Sequence, residues 1–591
     1  MTRQALLTMM GAVAVLACGT PATIRDGTPD PTGNDPQTVI TDADSNTPAP
    51  TKPPEPEPQP ARETEAHARS AAPPSTRQEA RALLDQVGGA VPASPSSTGY
   101  VAAYSRQANL PGRFNPNFHT ESYGHFVENT FQAVANNPLS TFSIDVDRAS
   151  YANIRRFIRN GARPPIDAVR IEEMVNYFTY EYPDPRNEHP FTVTTEVGPA
   201  PWRPAHQLVR IGLQGRRVDV ESLPPNNLVF LFDVSGSMQS PDKLPLLKQA
   251  FRMLVNELRP EDRVAITVYA GAAGLVLEST PGHRKHRILQ AIDRLEAGGS
   301  TAGGAGIRLA YEVARRHHLE GGNNRVILAT DGDFNVGESS DAAMIRLIEE
   351  EREHDTFLTV LGFGTGNLKD SKMEALADHG NGNFAYIDTI DEAKKVLVTE
   401  MGGTLLTIAK DVKLQIEFNP DRVQAYRLIG YENRILAAED FNNDKKDAGE
   451  LGAGHTVTAL YEIIPTGIEP DVAIGGVDSL RYQRPARGRT NASGEMMFVK
   501  LRYKQPDGDT SRLLTHPVHG ITRSPSTDFR FVTAVAGFGM LLRDSEHVGG
   551  WTLADVLESA QSGKGNDLEG YRAEFIDLVE TVIRGEMVAV R

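Results

Sequence analysis

Leu228-Val229-Phe230-Leu231-Phe232-Asp233-Val234-Ser235-Gly236-Ser237 decides the reading of this chain. Five consecutive apolar residues put large side chains on both faces of a strand, because alternate residues point opposite ways. Only a strand covered on both sides tolerates that pattern, which is the habit of parallel sheets packed between helices. The strand runs directly into Asp233-Val234-Ser235-Gly236-Ser237, a turn rich in oxygen-bearing side chains and glycine.

Outward from this point the pattern alternates. Leu244, Leu247, Phe251, Leu254 and Leu258 recur at steps of three and four, predicting a helix with Asp242 as its cap. Strands are expected at Val264–Tyr269, Val326–Ala329, Thr356–Gly362 and Phe384–Ile387. Helices are expected through Ile288 to Leu295, Ile307 to Val313, Ala342–Glu353, Lys372–Asp378 and Asp391–Met401. Strands alternating with helices imply an α/β fold with a doubly wound parallel sheet. Ligands of such sheets sit beyond the carboxyl ends of the strands.

Oxygen donors collect at those ends. Asp233, Ser235 and Ser237 follow the first strand, Thr301 lies in the Gly-rich turn Gly298–Gly304, and Asp331 ends the strand Val326–Ala329. Hydroxyls are neutral oxygen ligands and two carboxylates offset a divalent charge, the set that a hard cation such as Mg²⁺ takes. Glycines let the backbone approach closely. Asp333 is expected to stabilise this loop.

Together, these residues resemble the metal-ion-dependent adhesion site of a von Willebrand factor type A domain, over about residues 226–402. The resemblance implies Mg²⁺, or alternatively Mn²⁺, contacted directly by Ser235, Ser237 and Thr301 and held largely through waters by Asp233 and Asp331. It leaves one coordination position for an acidic group of a protein partner. No catalytic residue is expected. Ser235 lacks the upstream Gly of a nucleophile elbow and has no His near it in sequence. Asp233 lacks the second Asp of phosphotransferases that form an aspartyl-phosphate.

The flanks are of other kinds. The chain has 591 residues, room for about three or four domains, and a formal net charge of −16, which argues against nucleic-acid binding. Its one cysteine, Cys18, excludes intrachain disulfides and cysteine-based metal sites. Cys18 closes the apolar stretch Ala5–Ala17 that follows Arg3, too short for a bilayer span and suited to a secretory signal. Val15-Leu16-Ala17-Cys18 resembles a bacterial lipobox, with Val15 and Leu16 departing from its usual residues. That resemblance implies a lipidated Cys18 after a signal peptide over residues 1–18, and a cell-envelope protein on the membrane, the outer one in a Gram-negative host. Before residue 101 lie 15 of the 39 prolines. Residues 19–118 are therefore expected to be a disordered tether.

Residues 119–225 are expected to hold helices at Ala149–Asn160 and Ile171–Tyr180 and the first strands of an antiparallel β-sandwich, at Phe191–Pro199 and Leu208–Leu213. Asp145 and Asp147 read as strand-end and helix-capping residues. The sandwich continues over 403–520, with strands at Val412–Phe418, His455–Ile464 and Met496–Tyr503, so the α/β domain is inserted into it. Asp440–Asp444 begins like a calcium loop, but Lys445 and Leu451 break the pattern, leaving an exposed hairpin loop. Residues 521–591 are helical, and Tyr571, Phe575, Leu578 and Val582 form a packing stripe. Asn137–Asp147, Val169–Met174, Gly452–Tyr461, Asp528–Phe531 and Phe538–Arg543 resemble a bacterial family of A-domain lipoproteins (YfbK-like).

These readings predict a membrane-anchored protein that binds a partner's Asp or Glu through a metal ion and has no small-molecule substrate. The alternatives are a structural or assembly factor whose sandwich and helices make the contacts, with the ion only stabilising, and an envelope hydrolase using Ser235 or a His such as His455.

Overall fold

The computed structural model describes residues 120–585, apart from 145–146, 220–221, 301–302, 333, 335–340, 401–405, 447, 476–493, 507, 521 and 523. The signal, Cys18, the tether, Asp145, Thr301 and Asp333 lie outside the described residues. Among the described residues, no helix is long and apolar enough to cross a membrane.

The decisive run forms the strand Asn226–Asp233, buried at every position. Its two faces feed two cores. Leu228, Phe230 and Phe232 pack with Leu247, Phe251 and Leu254 of the helix Leu244–Glu257 and with Ile288 and Ile292 of the helix Lys285–Asp293. Val229 and Leu231 pack with Ile307 and Tyr311 of Gly303–Arg316, Ile348 of Asp341–Glu353 and Met373 of Asp370–His379. The sheet order is Phe384–Ile387, Thr356–Phe363, Asn323–Thr330, Asn226–Asp233, Arg263–Tyr269, Ala273–Pro281.

Two expectations are corrected here. The sheet is not wholly parallel: Ala273–Pro281 pairs antiparallel to Arg263–Tyr269 at one edge. Its apolar residues stop at Leu275-Val276-Leu277 and most of its positions are only partly buried, so that edge strand lacks the long buried run of a central strand, and only a tight turn separates it from its neighbour. Asp242 does not cap the following helix. It accepts from Ser240 Oγ at 2.6 Å, and the cap position is Lys243, without a side-chain cap bond.

The second body is a sandwich. One sheet runs Ile474–Gly475, Phe131–Ala133, Val423–Ile429, Thr456–Pro465, Arg203–Gly215, Phe191–Ala200. The other runs Gly449–Gly452, Thr407–Phe418, Glu495–Lys504, Arg512–His519, with Leu139–Ser143 also paired to Thr407–Phe418. Ile211, Tyr461 and Leu428 of the first meet Phe142, Leu414 and Leu501 of the second in one core. The chain leaves the sandwich after Gly215 and re-enters at Thr407. Both points pair with one hairpin, Gln214 with Thr456 and Thr407 with Gly452. Adjacent exit and entry points allow a whole domain to be inserted.

The helices from both ends of the described chain form a single layer. Ala149–Arg159 and Ile171–Asn176 share a core with Thr527–Leu542, Leu553–Gly563 and Tyr571–Ile583, laid over Leu208 and Leu460 of the first sheet. Phe575, Leu578 and Val582 are buried there, as the stripe predicts. Thr527–Leu542 carries glycines where neighbours come close: a Cβ on Gly537 would stand 2.1 Å from the Trp551 ring.

Buried ion pairs clamp the inserted domain to this frame. Arg155 engages Asp388, Glu392 and Glu574, and Arg170 engages Glu173, Asp370 and Glu374. Asp147 caps no helix: its Oδ1 accepts from the backbone N–H of Phe384 at 2.8 Å, and its Oδ2 lies 3.3 Å from Arg434. Asp440–Asp444 is exposed at Asn442 and Asn443, as expected, and is pinned by the buried Phe441 and by Asp444, which accepts from Ser511 Oγ at 2.6 Å. A cavity of about 60 Å³ remains between domain and sandwich, lined by Asp147, Arg148, Glu400, Glu450 and His455.

Gly537→Val should lower stability by about 1–3 kcal/mol in urea unfolding, because the Trp551 ring has to move. A second outcome concerns His455, whose Nε2 is buried without a partner among the described residues. Burial, then the Arg148 charge, pushes it down to about 4. An unfolded histidine takes its proton near 6.5, so the unfolded state binds more protons between these values. Stability should fall as pH drops from about 6.5 to 4. Urea titrations at both ends of that window should show a shallower fall for His455→Gln.

Candidate metal centre

The central strand delivers Asp233 to the carboxyl edge of the sheet, fully buried. Its Oδ1 accepts from the backbone N–H of Ser235 at 2.9 Å. Its Oδ2 accepts from Tyr269 Oη and Thr330 Oγ1, both at 3.0 Å. Burial pushes the Asp233 carboxyl up to about 6; the Asp331 charge adds to the rise, while the bonds from Ser235 and Tyr269 oppose it. Burial and a like charge both disfavour the ionised carboxyl, and a positive charge beside it would favour that form.

The following turn brings Ser235 and Ser237 together, with their hydroxyls 2.9 Å apart. Backbone bonds join this turn to the Gly-rich loop: Gly236 donates to Gly299 O at 3.1 Å and Gly298 donates to Val234 O at 2.8 Å. Thr301 follows in that loop, outside the described residues. Asp331, also buried, comes from the end of Asn323–Thr330. Its Oδ2 accepts from Lys243 Nζ at 2.8 Å and Asn367 Nδ2 at 3.2 Å.

Two buried carboxylates and two paired hydroxyls thus meet at one sheet edge. Their chemistry fits a small hard cation, which prefers oxygen donors and keeps several waters. Among the described residues, no group of three or more His, Cys, Asp or Glu forms a metal cluster. Any site here is therefore built mainly on hydroxyls and two aspartates.

Four side chains of this centre escape a reading by motif. Tyr269 and Thr330 end neighbouring strands and orient Asp233; the rule that sites gather at carboxyl ends points to them. Lys243 and Asn367 reach Asp331 from a helix start and a distant loop, and no spacing announces them. A Ser235–His455 arrangement is not formed: Ser235 Oγ pairs with Ser237, and His455 lines the cavity against the sandwich.

Residues 227–398 match the family described as von Willebrand factor type A domain. Residues 117–210 match one described as von Willebrand factor, and residues 403–584 match "Uncharacterized protein YfbK, C-terminal". YfbK of Escherichia coli is 43% identical over 486 residues, covering 81% of this chain and 84% of that protein. Human inter-alpha-trypsin inhibitor heavy chain H3 is 26% identical over 40% of this chain, which spans only 28% of that protein. A solved von Willebrand factor type A protein from Catenulispora acidiphila aligns over 64% of this chain and 88% of its own, at 16% identity and a TM-score of 0.36. The chain belongs to the YfbK family of proteins with a von Willebrand factor type A domain.

Proposed function

We propose that the protein is a cell-envelope binding module that captures a protein partner through a divalent ion, Mg²⁺ in the first instance, at the edge of its central sheet. The observation that carries this reading is the convergence of Asp233, Ser235, Ser237 and Asp331 on one face, two of them buried carboxylates. Von Willebrand factor type A domains in general serve protein–protein interaction or adhesion, which supports a binding role over a catalytic one.

Asp233, Ser235, Ser237 and Asp331, with Thr301 from the adjoining loop, would hold the ion. The bound ion supplies an electrophilic position for an acidic group of the partner. The protein's own part is to keep the donors in place before the partner arrives. Tyr269 and Thr330 fix one oxygen of Asp233, and the Ser235 N–H fixes the other. A preformed site spends less of its binding free energy on ordering side chains.

The same reading places the protein on a membrane through a lipid on Cys18, with residues 19–118 as a tether and the outer membrane as its seat in a Gram-negative host. The support is the sequence alone: the short apolar stretch Ala5–Ala17 and the lone cysteine that ends it.

Affinity capture of envelope proteins should recover a partner with wild type in Mg²⁺ and lose it with Asp233→Ala or with EDTA, while the melting profile stays cooperative. Capture unchanged by both would sink the metal bridge. A melting shift on adding Mg²⁺ with no effect on capture would favour the structural role instead. Mass spectrometry of the mature N-terminus should find a diacyl or triacyl Cys18; an unmodified terminus elsewhere removes the anchor.

A further inference from the structure

Lys243 is an odd residue for its place. It stands at the start of the helix Leu244–Glu257, where a positive charge works against the helix dipole. Its side chain is only 8% exposed, and burying an ammonium is costly without a partner. The partner is Asp331, whose Oδ2 lies 2.8 Å from Lys243 Nζ. The fold makes room for this reach. A Cβ on Gly364, at φ +75°, would stand 2.2 Å from Lys243 Cγ, so the stem passes beneath a residue that must be glycine. Gly332, at φ +100°, lies as close to the same loop: a Cβ there would stand 2.5 Å from Asn367 O. Asn367 itself gives Asp331 Oδ2 its neutral donor.

We propose that Lys243 is a positioning residue of the metal centre, an internal counter-cation. Without an ion it holds Asp331 in its binding orientation and offsets one of the two carboxylate charges. Once an ion enters, the same fixed charge repels it and keeps its affinity low. The inference rests on the metal reading of this site and adds a residue that the motif does not contain. Asn367 shares the oxygen but carries no charge, so charge and orientation can be separated by changing one donor at a time.

Mg²⁺ and Mn²⁺ binding to the full chain, measured by titration calorimetry, tests this together with melting in EDTA and in saturating Mg²⁺. Lys243→Met should bind Mg²⁺ about tenfold more tightly than wild type, since a like charge beside the ion has been removed. It should melt below wild type in EDTA and recover most of that loss in Mg²⁺. Lys243→Gln should behave the same way and serves if the Met variant does not fold. Asn367→Ala should show no tightening. Wild-type binding with equal or weaker binding by both Lys243 variants overturns the proposal but leaves the metal reading intact. Binding by neither wild type nor variants overturns both.

Discussion

The strand Asn226–Asp233 is buried on both faces, and the rest of the inserted domain depends on that constraint. A strand without a solvent face must be sandwiched between helices, which forces the crossover connections and the parallel order of its neighbours. Parallel order brings the carboxyl ends of successive strands to one edge. Asp233, Tyr269 and Asp331 come together for that reason, although they lie far apart in the chain. The chemistry of the site follows from the hydrophobicity of the strand that carries it.

A second constraint acts at the domain's base. The inserted domain leaves and returns through neighbouring positions of one hairpin, at Gly215 and Thr407. Buried arginines then fasten it: Arg155 and Arg170 each meet several carboxylates drawn from the domain and the helical layer. Pairs of this kind add little net stability over an apolar contact, but breaking one leaves a buried charge. They therefore fix the domain's orientation, and they do so from the carboxyl side of the sheet, where Asp388 follows the strand Phe384–Ile387 and Asp370 opens the helix after Thr356–Phe363.

Much of this was legible in the residues. Apolar runs locate strands buried on both faces, and steps of three and four locate helices with one apolar stripe. The turn Asp233–Ser237 announces its oxygen chemistry by composition. The edge strand Ala273–Pro281 was not legible, because its apolar run is only Leu275-Val276-Leu277, shorter than the five residues that identify the central strand. Asp242 looked like a helix cap because its residue type favours that place, but Ser240 holds its carboxylate. Asp147 had the same look and instead ties the strand Phe384–Ile387 to Arg434.

By itself the sequence determined the layered α/β domain, its donor-rich strand end and the place of the domain between sandwich strands, since periodicity and composition are local properties. Tertiary structure alone decided which groups hold those donors. Lys243 and Asn367 meet at Asp331 from segments more than a hundred residues apart, and Thr330 and Tyr269 meet at Asp233. It also decided that helices from both ends share one core. Contacts of that kind arise when distant segments compete for the same buried space, and no local pattern records the outcome.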